Sequence, residues 1–347
     1  MAKLVQLSDD GGSVWDTLPG SSGELTEERE ELSDTIFGQT FNSNEVGLVN
    51  WSVSANAFYK GFAGYQAKIL QQGTSTAMTD ESMTLVSGKT FTIDDDTKEI
   101  FDRNQTLTFD DAAVLVPEAD IESVDYLFGT VTFTAGHTVT EPITVLGNYW
   151  PVVAVAGASS YTLTQTADTK QTTDFAVAQA NGGFHTFLPG LRSVALELTG
   201  FYDLTNGFLV DLKAGTEVVV EINADGLGEA SGSVARGFFK IITHGQSGDV
   251  GALEEETVEF RLTVPNVDKM VLPFSWQHAA TTTLDTAVQK ALTAWLTEAV
   301  IDVQYLEDGV AGVKGQCVVT DVSLEGALDG MNTFTIDVQG SGVETVV

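Results

Sequence analysis

Two short stretches constrain this chain more than anything else in it. GLVNWSVSANAFY (47–59) and GLRSVALELTGFY (190–202) lie 143 positions apart, open on Gly-Leu and close on Phe-Tyr. Between those ends apolar residues alternate with polar ones: Val49, Trp51, Val53 and Ala55 in one, Val194, Leu196 and Leu198 in the other. Such a period of two marks a strand with one buried face. A strand repeated at this distance implies a repeated β unit, each copy beginning with the same edge and hairpin.

The alternation recurs in TFTID (90–94), GTVTF (129–133), SYTLTQT (160–166), SVALELT (193–199), EVVVEI (217–222), VEFRLTV (258–264), VIDVQY (300–305), QCVVTDVSL (316–324) and NTFTIDVQ (332–339). These runs are rich in Thr, Val, Ile, Phe and Tyr, which suit pleated, half-buried surfaces. The 34 glycines supply turns between them, and only 7 prolines interrupt ladders. The expected fold class is mainly β: two tandem β-sandwich or barrel domains, each with little helix. The expected division is an N-terminal arm (1–40), a first domain (41–155) with an insertion at about 65–122, and a second domain (156–347). The boundary falls in the small, uncharged run AVAGASS.

Two segments read as helix. LDTAVQKALTAWLTEAV (284–300) places Leu284, Ala287, Val288, Ala291, Leu292, Trp295, Leu296 and Ala299 on one face, with Thr282 or Thr283 as cap. TEEREELSDTIF (26–37) is shorter, with acids in its first turn, where the helix dipole favours them.

Hydrophobic residues make up 43% of the chain, enough for a real core. No apolar run is long enough to span a bilayer, and MAKLVQLSDDGGSVWD at the start does not read as a secretory signal. The single cysteine, Cys317, excludes an internal disulfide and sits in an alternating run, as a small strand residue would. Lys and Arg number 16 against 49 Asp and Glu, a net charge of −33. Such a surface repels nucleic acid, because binding to it is dominated by cations neutralising phosphates. It suits either plain solubility or a wall that must lie near DNA without holding it.

Chemistry has little support. His137, His185, His244 and His278 lie at no metal-ligand spacing and read as turn or surface residues. INADGLGEASG (222–232) lacks the order and terminal Glu of a calcium loop and reads as a hairpin loop. No phosphate loop, nucleophile elbow or dinucleotide fingerprint occurs. The chain is expected not to be an enzyme, with no cofactor and no metal. DDDTKE (94–99) and LEEETVE (253–259) read as solvated turns. Single acids on strands are more pointed: Glu197, Glu217, Glu221, Glu259, Asp302 and Asp337. Their neighbours Leu196, Val218, Val220, Phe260, Ile301 and Ile336 would face a core, so the acids would face away from it. They form either an ordinary solvated face or one continuous acidic wall. Phe58, Tyr59, Phe201 and Tyr202 occupy equivalent corners, as core aromatics or as anchors of subunit contacts.

Several segments resemble the major tail tube protein of long-tailed, non-contractile bacteriophages: GGSVWDTLPG (11–20), NAFYKGFAGYQAKI (56–69), IESVDYLFGTVTF (121–133), FLPGLRSVALELTGFYD (187–203) and NTFTIDVQGSG (332–342). The resemblance covers most of the chain and is least in 65–122. It implies two tail-tube-like domains and a virion protein, made in the cytoplasm of a bacterial host, that polymerises into stacked rings. It implies tape measure and tail-terminator proteins as partners, no membrane, and DNA passing through an acidic lumen without sticking. With two domains per chain, three chains would complete a pseudo-sixfold ring. Six chains, each with one half outside, are the alternative. The arm and the insertion would reach toward the next ring. A secreted acidic β-repeat adhesin or surface-layer protein is the competing reading.

Overall fold

A computed structural model describes residues 3–33, 44–58, 68–155, 158–201, 207–248, 254–264, 269–327 and 332–347. The fold is mainly β, and each of the nine alternating runs lies in a strand for most of its length. The chain opens with β1 (Leu4–Ser8), β2 (Asp16–Thr17), β3 (Gly20–Ser33), β4 (Asn44–Phe58) and β5 (Lys68–Gln72). It then builds a separate sheet of seven strands: β6 (Thr76–Ser87), β7 (Thr90–Ile93), β8 (Thr108–Asp111), β9 (Val114–Leu115), β10 (Ile121–Asp125), β11 (Thr130–Phe133) and β12 (Ile143–Tyr149). It returns to the first sheet with β13 (Val152–Ala154), β14 (Ala158–Gln171), β15 (Phe187–Phe201), β16 (Glu217–Asn223), β17 (Ser233–Ser247), β18 (Glu255–Leu262) and β19 (Phe274–His278). The last strands are β20 (Val300–Leu306), β21 (Gly312–Ala327), β22 (Thr333–Gly340) and β23 (Thr345–Val346). Helices α1 (Phe175–Ala180), α2 (Phe208–Ala214) and α3 (Thr286–Thr297) complete the described elements.

The 16-stranded first sheet holds the duplication, and its two units are nested. In one, β1 pairs β2 and β20, and the order β3-β4-β22-β21 follows. In the other, β5 pairs β13 and β16, and the order is β14-β15-β18-β17. A helix precedes the C-terminal strands in both, α3 before β20 and α2 before β16. The second unit runs from β5 to β19 and lies inside the first, between β4 and α3; the seven-stranded sheet lies inside the second, between β5 and β13.

The bulges identify equivalent residues. The β3–β4 register slips at Gly20/Ser22 and Arg29/Glu31; the β14–β15 register slips at Ala158/Ser160 and Ala167/Thr169, each 138 positions later. The β21–β22 ladder slips at Val319/Asp321 and the β17–β18 ladder at Ile241/Thr243, each 78 positions earlier. A bulge pins the pairing and re-aims the strand. Three coincident bulges therefore fix the two units in one register. The sequence repeat marks one strand of this pattern, β4 and β15, both 15 residues long.

These findings correct several expectations. The boundary at 155/156 falls between β13 and β14, two strands of one unit, and does not separate the units. Residues 1–40 are not a free arm where described: β1 pairs β20, Leu7 is fully buried, and β3 pairs β4 along its length. Thr26–Ser33 is strand and not helix, because the β4 ladder satisfies its backbone. The inserted sheet occupies 76–149, with its own core around Phe91, Phe101, Phe109, Leu127, Val131 and Phe133. Helix α3 is capped by Asp285, which accepts from the Ala287 N–H at 3.0 Å; Thr282 instead donates to buried Asp225 at 2.6 Å. Its buried face is Ala287, Val288, Ala291, Leu292 and Trp295, as the spacing predicts, while Ala299 is exposed.

The main core lies between the β3-β4-β22-β21-β14-β15-β18 face and a second layer. Trp51, Val53, Leu196, Phe260, Phe334 and Ile336 come from the face, and Val303, Tyr305, Val220 and the α3 residues close over it. Tyr305 and Val5 lie against Gly23 of β3. Cys317 is buried in this core, and its surroundings push its thiol up.

Candidate functional site

Away from that core the same strands present a polar face. Directly opposed side chains in neighbouring strands are about 4.5–5.5 Å apart, so registers define lines of neighbours. One line runs Glu24, Ser54, Asp337, Asp321, Thr166, Ser193. The next runs Asn56, Thr335, Ser323, Thr164, Ala195, Arg261. The third runs Phe58, Thr333, Glu325, Thr162, Glu197, Glu259, Thr243. Thr and Ser residues fill most of the positions between the acids, and Thr335 donates to Asn56 at 2.8 Å. Basic Arg261 and Lys240 stand opposite each other where β17 passes from β18 to β16. The face is thus eight strands wide, from β3 to β17, acidic and hydroxyl-bearing across both units.

Three of the six expected acids lie on this face. Glu197 and Glu259 are directly opposed, and Asp337 faces Asp321. Burial, then the Asp337 charge, pushes Asp321 up to about 6. Glu24, Asp321 and Glu325 belong to the same face and were missed. The alternation Asp321, Ser323, Glu325 carried the signal for two of them; Glu24 lay beside a segment read as helix.

The other three lie elsewhere. Strand β16 is buried on both sides: Val218, Val220 and Ile222 face the main core, and Val219 joins the core of the seven-stranded sheet. Glu221 is therefore 4% exposed and not on a solvated wall. It meets Arg236 at 2.8 Å, which also reaches Glu99 at 2.6 Å, Glu229 at 2.5 Å and the Leu127 carbonyl at 2.9 Å. This cluster joins the two sheets. Burial and a hydrogen bond with Glu99 push Glu229 up to about 9, so one of the three carboxylates keeps its proton at neutral pH. Glu217 pairs with Arg103 of the seven-stranded sheet's loop. Asp302 lines a cleft with Trp15, Lys314 and Gln316, and burial pushes it up.

Among the aromatics, Phe58 is half-buried at one end of the face and Phe201 is 44% exposed at the same end. Tyr59 and Tyr202 lie outside the described residues. The histidines are more structural than expected: His185 is buried against Gln171 and Glu30, and His278 stacks on Trp276, its pKa lowered to about 4 by burial. Of residues 222–232, the first two end β16 and 224–232 form the β16–β17 loop, where Asp225 accepts from the Leu227 and Ser233 N–H groups. No metal-binding group occurs among the described residues, and no helix there is long and apolar enough to cross a membrane.

No family model matches the chain, and no curated protein matches it. Part of the chain is similar to solved chains of two assemblies. In the virion of a native gene transfer agent particle the identity is 15%, over 37% of this chain and 89% of that one, with a TM-score of 0.29. In the tail of an empty gene transfer agent particle, computed with helical refinement in C6 symmetry, it is 16%, over 33% and 84%, with a TM-score of 0.29. Neither likeness is close enough to carry a functional argument.

Proposed function

We propose that this chain is a structural virion protein whose copies close into rings and stack as a phage tail tube, an acidic conduit for DNA. The observation that carries this reading is the eight-stranded acidic face with an open edge at either side. On one side β3 pairs only β4 among the described residues. On the other, β16 leaves β17 after Lys240 for α2, and no described strand takes its place beside Ile241–Ser247. A sheet with two different free edges, repeated by rotation, closes into a barrel and removes both. The two nested units run their strands in the same up-and-down order, so each chain supplies two similar sixths of a three-chain ring.

Size supports three chains over six. Three eight-stranded faces at about 4.8 Å per strand give a bore of roughly 37 Å between backbones, widening to roughly 48 Å at a tilt of about 40°. That admits a duplex and its hydration shell; six chains would double it. Carboxylates and hydroxyls on such a wall offer phosphates no counterion-releasing contact. Partners in this reading are further copies, a tape measure protein inside and a terminator protein at the end.

Electron microscopy of the purified chain over a concentration series tests it. Hollow stacked rings averaging to three chains are expected. Compact monomers at every concentration overturn self-assembly, and six-chain rings overturn the count.

A further inference from the structure

The chain contains one junction between its two units, and we infer that this junction is the template for the contact between copies. Inside the chain, β21 of the first unit pairs β14 of the second: Thr162 with Glu325, Thr164 with Ser323, Thr166 with Asp321. Each of these strands has a counterpart at an edge that no described strand covers. The counterpart of β14 is β3, at 138 positions less; that of β21 is β17, at 78 positions less. Transferring the internal ladder gives a register between copies: Glu24 against Ser247 of the next copy, Thr26 against Gly245 and Glu28 against Thr243.

Three observations favour this pairing. The bulge at Ile241/Thr243 bends β17 as the one at Val319/Asp321 bends β21, so both strands present the same stretch sideways. The register keeps polar face on polar face: Glu28 joins the line of Thr243, Glu259 and Glu197. The edges also differ in charge. β3 carries five glutamates (24, 27, 28, 30 and 31), whereas Ile241–Ser247 carries none. Pairing β3 with another β3 would oppose acid to acid, which destabilises a ladder; pairing it with β17 does not. The contact is therefore head to tail, and rotation closes it.

This inference rests on the tube reading, and a cysteine experiment separates the two. Opposed residues in an antiparallel ladder have Cα atoms about 4.5–5.5 Å apart, within disulfide reach. A Cβ at Gly245 would meet only the Thr257 carbonyl oxygen, at an ordinary contact distance of 3.9 Å, and buried Cys317 serves as the wild-type control. Rings of the Thr26→Cys/Gly245→Cys variant, mildly oxidised, should give a closed three-chain species on a non-reducing gel. The offset pair Thr26→Cys/Ser247→Cys should give at least tenfold less. If the double variant does not assemble, the two single variants are mixed, and a cross-linked dimer is expected only in the mixture. Rings that cross-link at the offset pair, or at neither, overturn the register and leave the tube reading standing. A wild-type chain that forms no rings removes the reading and the register together. A closed six-chain species would keep the register and overturn the three-chain ring.

Discussion

Asp321 shows how a single carboxylate on the acidic face is held. It is half-buried and directly opposite Asp337, so ionising both is costly. Its folded value, about 6, lies above the ordinary 3.8. The proton it keeps therefore stabilises the fold fully below pH 3.8, and that contribution is lost as pH rises through 6. Asp321→Asn should raise stability at pH 7.5 by about 1 kcal/mol, after allowance for solvent screening, and by almost nothing at about pH 3. Urea unfolding at the two values measures this; an equal effect at both would remove the electrostatic account. Arg236 is the opposite case. Replacing it with Leu leaves two buried carboxylates, Glu99 and Glu221, without their cation and should cost about 3–5 kcal/mol, read as a lowered urea midpoint. Neither role was open to the sequence. Glu221 and Glu197 look alike on alternating strands, and only the second sheet lying over β16 tells a buried partner from a surface acid.

At the scale of elements, the alternating strands and α3 were legible because one face of each is buried. β3 was not, because its run of charged residues has no periodicity, and pairing with β4 decided its form. Divergence between the two units hides the rest. Trp51 on β4 corresponds to Val194 on β15, and Gly340 on β22 corresponds to Leu262 on β18. A side chain on Gly340 would overlap the Trp51 ring, so the first unit has a large residue beside none where the second has two of middle size. Volume is kept while identity is lost. Gly340→Leu alone should therefore destabilise by about 3 kcal/mol, and Trp51→Val alone by a similar amount through the cavity it leaves. The double variant should recover at least about 1 kcal/mol of the sum. Strictly additive losses in thermal unfolding would show that the two positions do not share one space.

For the whole molecule, the sequence showed the duplication in one strand and concealed its order. A reader of linear sequence cuts a repeat into consecutive halves, but here the C-terminal strands of the first unit arrive after the entire second unit. That nesting matters for charge as well. It puts acids from both ends of the chain, Glu24 and Asp337, beside acids from its middle, Glu197 and Glu259, on one face. In a closed ring these would face a common bore, where the field of many carboxylates persists over about 10 Å at 0.1 M salt. Reversing the face should alter what the bore holds without altering the ladders, since the side chains point away from the core. Tubes of Glu197→Lys/Glu259→Lys/Asp337→Lys are expected to form at the wild-type diameter and to retain short duplex DNA in sedimentation at 50 mM salt. Retention should fall by about 10³-fold or more toward 200 mM, as release of counterions at several phosphates per ring requires. Wild-type tubes should retain none at either salt. If the lysine variant also retained none, these acids would not line the bore, and the conduit would have to be sought on another face.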